Sequence, residues 1–257
     1  MFFNTIKMKQ GLTMRNLLWG PYTVAVLSHR QSSWKFGCRT HICIALFWHI
    51  IHLFILENPL DLLTAYQKRR TQCALGNELP VSREEVESLI KNVIREAPSA
   101  FNSQSSRAVI LFGEESVKFW NELVLEALRP LVPAENFGPT EEKLASFAKG
   151  AGTILFFEDQ KVIQGLQEQY ALYADKFPEF SANSAGMAQF AVWTALANKN
   201  IGASLQHYNP VIDDAVYAKY DVPKHWQLSA QMPFGSNEQS IAPKEYMDDA
   251  ERFLVVG

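Results

Sequence analysis

"SANSAGMAQFAVWTALANKNIG", residues 181–202, carries a single charged side chain, Lys199, and no proline. It is rich in alanine, glycine and serine and apolar all round, which predicts a helix buried on every side. Its small residues let neighbouring backbones come close. A helix this apolar in a chain of 257 residues implies a second subunit covering part of it.

Working outward, short apolar runs alternate with helical patterns. "GTILFFED" (152–159) reads as a buried strand, and residues 160–174 as a helix with Val162, Ile163, Leu166 and Tyr170 on one side. "RAVILFG" (107–113) is β-branched, short and closed by glycine, so it reads as a strand. "EESVKFWNELVLEALRPL" (114–131) opens with two acids, which suit a helix N-terminus, and a polar helix follows around 140–149. Ser82 with Glu85 three positions on is a capping box; Val86, Leu89, Ile90, Val93, Ile94 and Ala97 then share one helix face until Pro98 stops it. On the C-terminal side, "ASLQHY" (203–208) reads as a strand, "PVIDDAVYAKY" (210–220) as a short helix and "WQLSAQMPFG" (226–235) as a strand. The tail "RFLVVG" has strand character without a local partner. At least four strands with helices between them make a three-layer α/β or α+β body.

Composition excludes several classes. Hydrophobic content of 47% and charged content of 20% are those of a globular protein, and a net charge of −3 gives no footprint for nucleic acid. Cys38, Cys43 and Cys73 are too few for a disulfide framework, which makes a reducing compartment, the cytoplasm, the expectation. Charge places a boundary near residue 57. Residues 1–56 contain no Asp or Glu and carry Lys7, Lys9, Arg15, Arg30, Lys35 and Arg39. Three readings of that segment stand: a poorly ordered extension, or a start site placed too far upstream, with no role in the fold; a mitochondrial transit peptide; and membrane contact through Ile42–Leu56. That last run is shorter than the roughly 20 residues of a spanning helix. Residues 57–257 form the functional body.

Three segments could carry chemistry. "QKRRT" (67–71) sets Lys68, Arg69 and Arg70 before Thr71; the arginine fork matches phosphate oxygens, although a solvated basic turn reads the same way. "APSAFNSQSSR" (97–107) is a helix-to-strand turn in which Asn102 and Gln104 each offer an amide donor and acceptor, the complement of a heterocycle edge. "LQHYNP" (205–210) leaves a strand and turns before Pro210, where sites often lie. There is no Walker-type loop, no Gly-x-Gly-x-x-Gly turn, no Gly-x-Ser-x-Gly elbow and no spaced metal-ligand set. Cys38, His41 and Cys43 lie close together but lack a second ligand pair. Glu158 and Asp159 are adjacent on a strand, so they face opposite ways and make a poor acid/base pair.

Together and in this order, "KRRT" (68–71), "APSAFNSQSSR" (97–107), "GTILFFEDQ" (152–160), "LYADKFPEF" (172–180), "WTAL" (193–196), "LQHYNPVID" (205–213), "PFGS" (233–236) and "DDAERFLVVG" resemble the nitroreductase superfamily. The likeness is to its fungal-type and small bacterial branch, which includes hydroxylamine-reductase-like proteins, and it runs from about Asp61 to Gly257. The resemblance implies an α+β, three-layer fold: a central mixed or antiparallel sheet, flanking helices, and a long buried helix at a homodimer interface that holds FMN. The tail would cross to the other subunit. Arg69 and Thr71 would hold the FMN phosphate and ribityl end, with Arg70 beside the pyrimidine ring. Asn102 and Gln104 would bond the isoalloxazine edge. Gln206, His207 and Tyr208 would lie near the flavin face and N5, with backbone N–H donation tuning the ring. Lys244, and as a second candidate Arg252, would approach the phosphate. Cys73 stands where many superfamily members have Lys or Arg and this branch often an aromatic, which bears on the flavin potential.

The chemistry so implied is ping-pong: NADH or NADPH reduces the flavin and leaves, then a nitroaromatic, quinone or related small-molecule acceptor takes its place, in detoxification or an oxidative-stress response. Catalysis is then borne by the flavin, with His207 and Tyr208 the candidate proton donors. A flavin-binding redox sensor without turnover, and a structural protein without flavin, are the alternatives.

Overall fold

The computed structural model describes residues 3–7, 12–19, 22–29 and 62–257. The chain divides into two units, Met1–Pro59 and Leu60–Gly257. In the first, β1 (Phe3–Lys7), β2 (Leu12–Trp19) and β3 (Tyr22–His29) form an antiparallel meander, with Asn4 opposite Asn16 and Leu17 opposite Val24. The sequence reading assigned no elements there. The apolar run 42–56 and the Cys38–His41–Cys43 group lie outside the described residues.

The second unit is built on a five-stranded sheet. Its strands are β4 (Leu75–Gly76), β5 (Ser106–Phe112), β6 (Gly152–Asp159), β7 (Gly202–Ala203) and β8 (Trp226–Asn237), in the order β4-β8-β6-β5 with β7 also on β8. Among the described residues every ladder is antiparallel, and the one parallel contact is the isolated bridge between Thr71 and Ala203. All eight residues of β6 are buried, and period-two alternation sends them to two cores. Leu155 and Phe157 join Phe119, Trp120, Leu144, Phe147 and Val216 on one face; Ile154 and Phe156 join Val86, Ile90, Val192, Leu196 and Met232 on the other. Helices thus cover both faces, the expected three layers of an α+β fold.

The first face is covered by a helix running through Glu114–Lys118, a π-helical segment Phe119–Val124 and Leu125–Leu128, by Phe137–Ala148 and by Asp213–Tyr220. Inside it the Trp120 indole donates to Thr153 Oγ1 at 2.8 Å, so the largest buried side chain leaves no polar atom unsatisfied. The second face is covered by Arg83–Glu96 and by the central helix Phe177–Asn198. Arg83–Glu96 starts as expected: Ser82 Oγ accepts from the Glu85 N–H at 3.1 Å.

Four expectations need correction. The central helix is not buried on all sides within one chain: Ser181, Ser184, Ala185, Ala188, Val192 and Leu196 face the core, while Ala182, Gly186, Met187 and Phe190 are exposed. The helix expected over 160–174 is α-helical only over Gln160–Gln169 and tightens into 3₁₀ turns at Ala171–Lys176. Residues 203–208 are not a continuous strand, because only Gly202–Ala203 pairs with β8 and the edge then makes a single bridge, Gln206 to Gln231. The tail forms a short helix, Asp249–Arg252, and then extends with Leu254, Val255 and Val256 at 89%, 92% and 87% exposure. Among the described residues no helix is long and apolar enough to cross a membrane.

Candidate functional site

The basic arm comes first. Helix Leu62–Lys68 lies against the central helix, with the Tyr66 ring 5.1 Å from that of Phe190 and Lys68 Nζ donating to the Asn198 carbonyl at 3.2 Å. A cation at the C-terminal end of a helix is favoured by the helix dipole. The chain then leaves the helix, and Arg69 lays its guanidinium over Trp193 at 4.5 Å, with Phe190 at 6.0 Å. Its Nε is buried and has no acceptor. Burial first, and the neighbouring Arg70 charge second, lower the Arg69 pKa. A desolvated donor beside a second cation lacks one partner, an anion.

Past Arg70 the arm is extended and docks on the sheet edge. Gln72 donates its N–H to the Ala203 carbonyl at 2.9 Å and its side chain to the Gln239 carbonyl at 2.7 Å. Gln72 points inward and is buried, so Thr71 and Cys73 point outward and are exposed. Lys68, Arg70, Gln72, Asn200, Asn237 and Ile241 line an open cavity of about 310 Å³ beside the arm.

The strand-edge turn lies next to it. Gln206 and Gln231 exchange backbone bonds at 2.7 and 2.9 Å. The fully buried Gln231 side chain accepts from the Tyr208 N–H at 2.8 Å and donates to Asn209 Oδ1 at 3.3 Å. Of the three N–H groups in Gln206–His207–Tyr208, two are therefore committed within the chain, and among the described residues the His207 N–H has no acceptor. The His207 side chain is exposed. The Tyr208 ring meets Trp120 edge-on at 5.7 Å. Burial, and secondarily the nearby Cys73 thiol, raise the Tyr208 pKa, so the phenol holds its proton at neutral pH. Thr71, Cys73 and Tyr208 are thus assembled on one edge.

The amide loop is held differently. Phe101, Asn102 and Gln104 have φ of 56°, 51° and 49°, the left-handed region. For non-glycine residues this costs on the order of 1 kcal/mol or more each, and a bulky residue such as Phe101 is rarely found there. Surrounding contacts hold the conformation. Ser99 Oγ accepts from the Gln104 N–H at 2.9 Å, Ser184 Oγ accepts from the Ala100 N–H at 3.2 Å, and the Phe101 ring packs on Tyr170 at 4.7 Å and Phe177 at 5.5 Å. The side-chain amides of Asn102 and Gln104 are exposed and make no hydrogen bond to the described residues.

One chain does not bring all these groups together. The loop rests on the central helix at Phe177 and Ser184, whereas Arg69 rests on it at Phe190 and Trp193. From Ser184 to Trp193 is roughly 13 Å of helix and half a turn of rotation, at 1.5 Å and about 100° per residue. Lys244 and Arg252 lie on the exposed tail, over the rings of Tyr246 and Phe253 respectively, and neither contacts the arm among the described residues. Gln231 and Glu158, both buried and polar, organise two of these segments and were not singled out as site residues from the sequence. A polar residue inside an apolar strand is the only signal either leaves there. Among the described residues no cluster of His, Cys, Asp and Glu could hold a metal.

Fold and site define a class: an α+β chain with a basic arm, whose Arg69 Nε is buried without an acceptor, and a strained amide loop, assembled without a glycine-rich phosphate cradle. The model of the nitroreductase family matches residues 66–236. The Saccharomyces cerevisiae protein HBN1 is 38% identical over 188 residues, 72% of this chain and 93% of that one. Nitroreductase CinD from Lactococcus lactis, solved in complex with chloramphenicol, is 44% identical with a TM-score of 0.71, covering 77% of this chain and all of its own (100%). A Desulfitobacterium hafniense nitroreductase solved with bound FMN shares the fold alone: TM-score 0.56, 15% identity, 76% of this chain and 97% of that chain. The chain belongs to the nitroreductase family.

Proposed function

We propose that the chain is an FMN-dependent NAD(P)H oxidoreductase, active as a homodimer, that reduces nitroaromatics, quinones or related acceptors. The observation that carries this reading is the buried, acceptorless Nε of Arg69 at the end of a basic arm, which fits the phosphate of FMN. The free amides of Asn102 and Gln104 fit the alternating N–H and C=O groups of the isoalloxazine edge. Because arm and loop sit at different ends of the central helix, a second copy across its exposed face would complete each site, with the extended tail carrying Lys244 and Arg252 toward it.

Within such a site this chain's residues bind and orient. Arg69, Arg70 and Thr71 would hold the phosphate and ribityl end. Asn102 and Gln104 would fix the ring edge, and the His207 N–H, without an acceptor among the described residues, would face N5. Tyr208, protonated at neutral pH, is available as a proton donor. When bound, FMN would supply the redox chemistry that couples oxidation of NADH or NADPH to reduction of the acceptor, in ping-pong order. CinD solved with chloramphenicol, itself a nitroaromatic, supports nitroaromatics as acceptors, and detoxification or an oxidative-stress response is the setting proposed with them. The cytoplasm is the proposed location, with the acid-free N-terminus supporting the mitochondrial alternative.

A sensor without turnover is the second reading, favoured by Cys73, an exposed free thiol where many superfamily members carry Lys or Arg. Anaerobic titration separates the two. Bound flavin is expected to bleach with NADH or NADPH and to recover its absorbance on adding a nitroaromatic. Flavin that stays oxidised at millimolar donor would leave only the sensor.

A further inference from the structure

Glu158 is 5% exposed and has no cationic partner among the described residues. Three hydroxyls satisfy it instead. Ser105 Oγ and Ser181 Oγ donate to Oε2 at 2.6 and 2.8 Å, and Ser106 Oγ donates to Oε1 at 2.5 Å. Ser105 and Ser106 are the exit of the amide loop, and Ser181 belongs to the central helix. A carboxylate is acceptor-only, with about four lone-pair sites on two oxygens, so it can take three donors at once. An isosteric amide has one acceptor oxygen in place of two, so it cannot accept from all three, and at least one hydroxyl must turn round to accept from its NH₂.

We propose that Glu158 is a positioning residue for the flavin site: it ties the exit of the 99–105 loop to the central helix and so holds Asn102 and Gln104 in their left-handed presentation. The entrance of the loop is tied to the same helix by Ser184. On the opposite side of the strand, Asp159 pairs with Arg107 at 3.0 Å, and Arg107 also donates to the Gln104 carbonyl at 2.5 Å. The loop is therefore anchored at both ends and on both faces of the sheet, and the carboxylate is the group where loop, strand and helix meet. The same carboxylate lines a cavity of about 400 Å³ with Ser181, Asn209, Gln227 and Ser229, so its surroundings give room for the loop to relax once the hydroxyls are released. This inference rests on the flavin reading of the loop.

The test uses the full chain, stripped of flavin and titrated with FMN, with flavin fluorescence and the visible band of bound flavin as readouts. Glu158→Gln is expected to weaken FMN binding by about tenfold or more through lost preorganisation, and to shift the visible band, which a change in global stability alone would not do. Ser181→Ala, which removes one donor and leaves the strand intact, is expected to weaken binding by about threefold in the same direction. It decides the matter alone if Glu158→Gln does not fold. Affinity within about twofold of wild type and an unshifted band in either folded variant would overturn the proposal. Asn102→Ala separates the failures. If it weakens FMN while the Glu158 and Ser181 variants do not, only the positioning role is lost. If none of the three changes affinity, the loop has no part in the flavin site and both readings fall.

Discussion

Arg69→Ala is expected to weaken FMN binding by roughly a hundredfold, equivalent to about 3 kcal/mol for truncating one member of a desolvated, hydrogen-bonded charge pair. The argument is local. The guanidinium is clamped by Trp193 and Phe190, so it sits in place before any anion arrives and loses little freedom on binding one. Its Nε has been stripped of water without receiving an acceptor, so the phosphate would satisfy a donor already exposed to that cost. Arg69→Lys should recover part of the affinity, since an ammonium keeps the charge but not the planar fork. Fluorescence titration of the stripped protein reads both variants. Affinity for Arg69→Ala within about threefold of wild type would move the phosphate to the Lys68–Arg70 cavity and remove the assignment.

Gly235→Ala should be the most damaging conservative change to the fold. Gly235 lies in β8 where β7 pairs with it, beside the point where β4 joins. A Cβ there would stand 2.0 Å from the Gly76 carbonyl oxygen and 2.9 Å from the Ala151 backbone N. Both are backbone atoms of neighbouring segments, so no rotamer can relieve the overlap and the sheet itself must separate. A loss of about 3 kcal/mol is expected from overpacking of this kind, lowering the melting temperature by roughly 10 °C in a unit of this size. Gly138→Ala is the matched control, because nothing lies within 4 Å of a Cβ added there. Equal melting temperatures for the two variants in a thermal scan would show that the strand junction is looser than its geometry implies.

What the sequence discloses follows from how local each determinant is. Arg83–Glu96 is legible because its cap, its apolar period and its terminating proline all lie within the segment. Residues 152–159 are legible as a strand, but their role as the hinge between two cores is not, since it depends on which distant helices meet Leu155 and which meet Ile154. The central helix shows the limit of composition. An average apolar character does not say which side packs internally, and its buried face contains Ser181 and Ser184, whose partners Glu158 and Ala100 come from elsewhere in the chain. The arm, loop and turn were placed through family likeness, while the commitment of the Gln206 and Tyr208 N–H groups to Gln231 is a tertiary fact with no trace in local pattern. The 203–208 run has the alternation of a strand, yet the arm's Thr71 and Gln72 contact Ala203 at that edge and the ladder to β8 does not continue.

The separation of arm and loop along one helix has a consequence in genetics. In a two-fold dimer whose sites each take the arm from one copy and the loop from the other, lesions in Arg69 and in Asn102 affect different halves of a site. Two defective alleles expressed in one cell would form mixed pairs in which both lesions fall on the same site and the other site is wholly wild type. Random pairing then returns roughly a quarter of the normal number of intact sites. Alleles damaged in the same half cannot rescue one another this way. Complementation between alleles would therefore sort mutations of this single gene into two groups, drawn along the axis of the central helix.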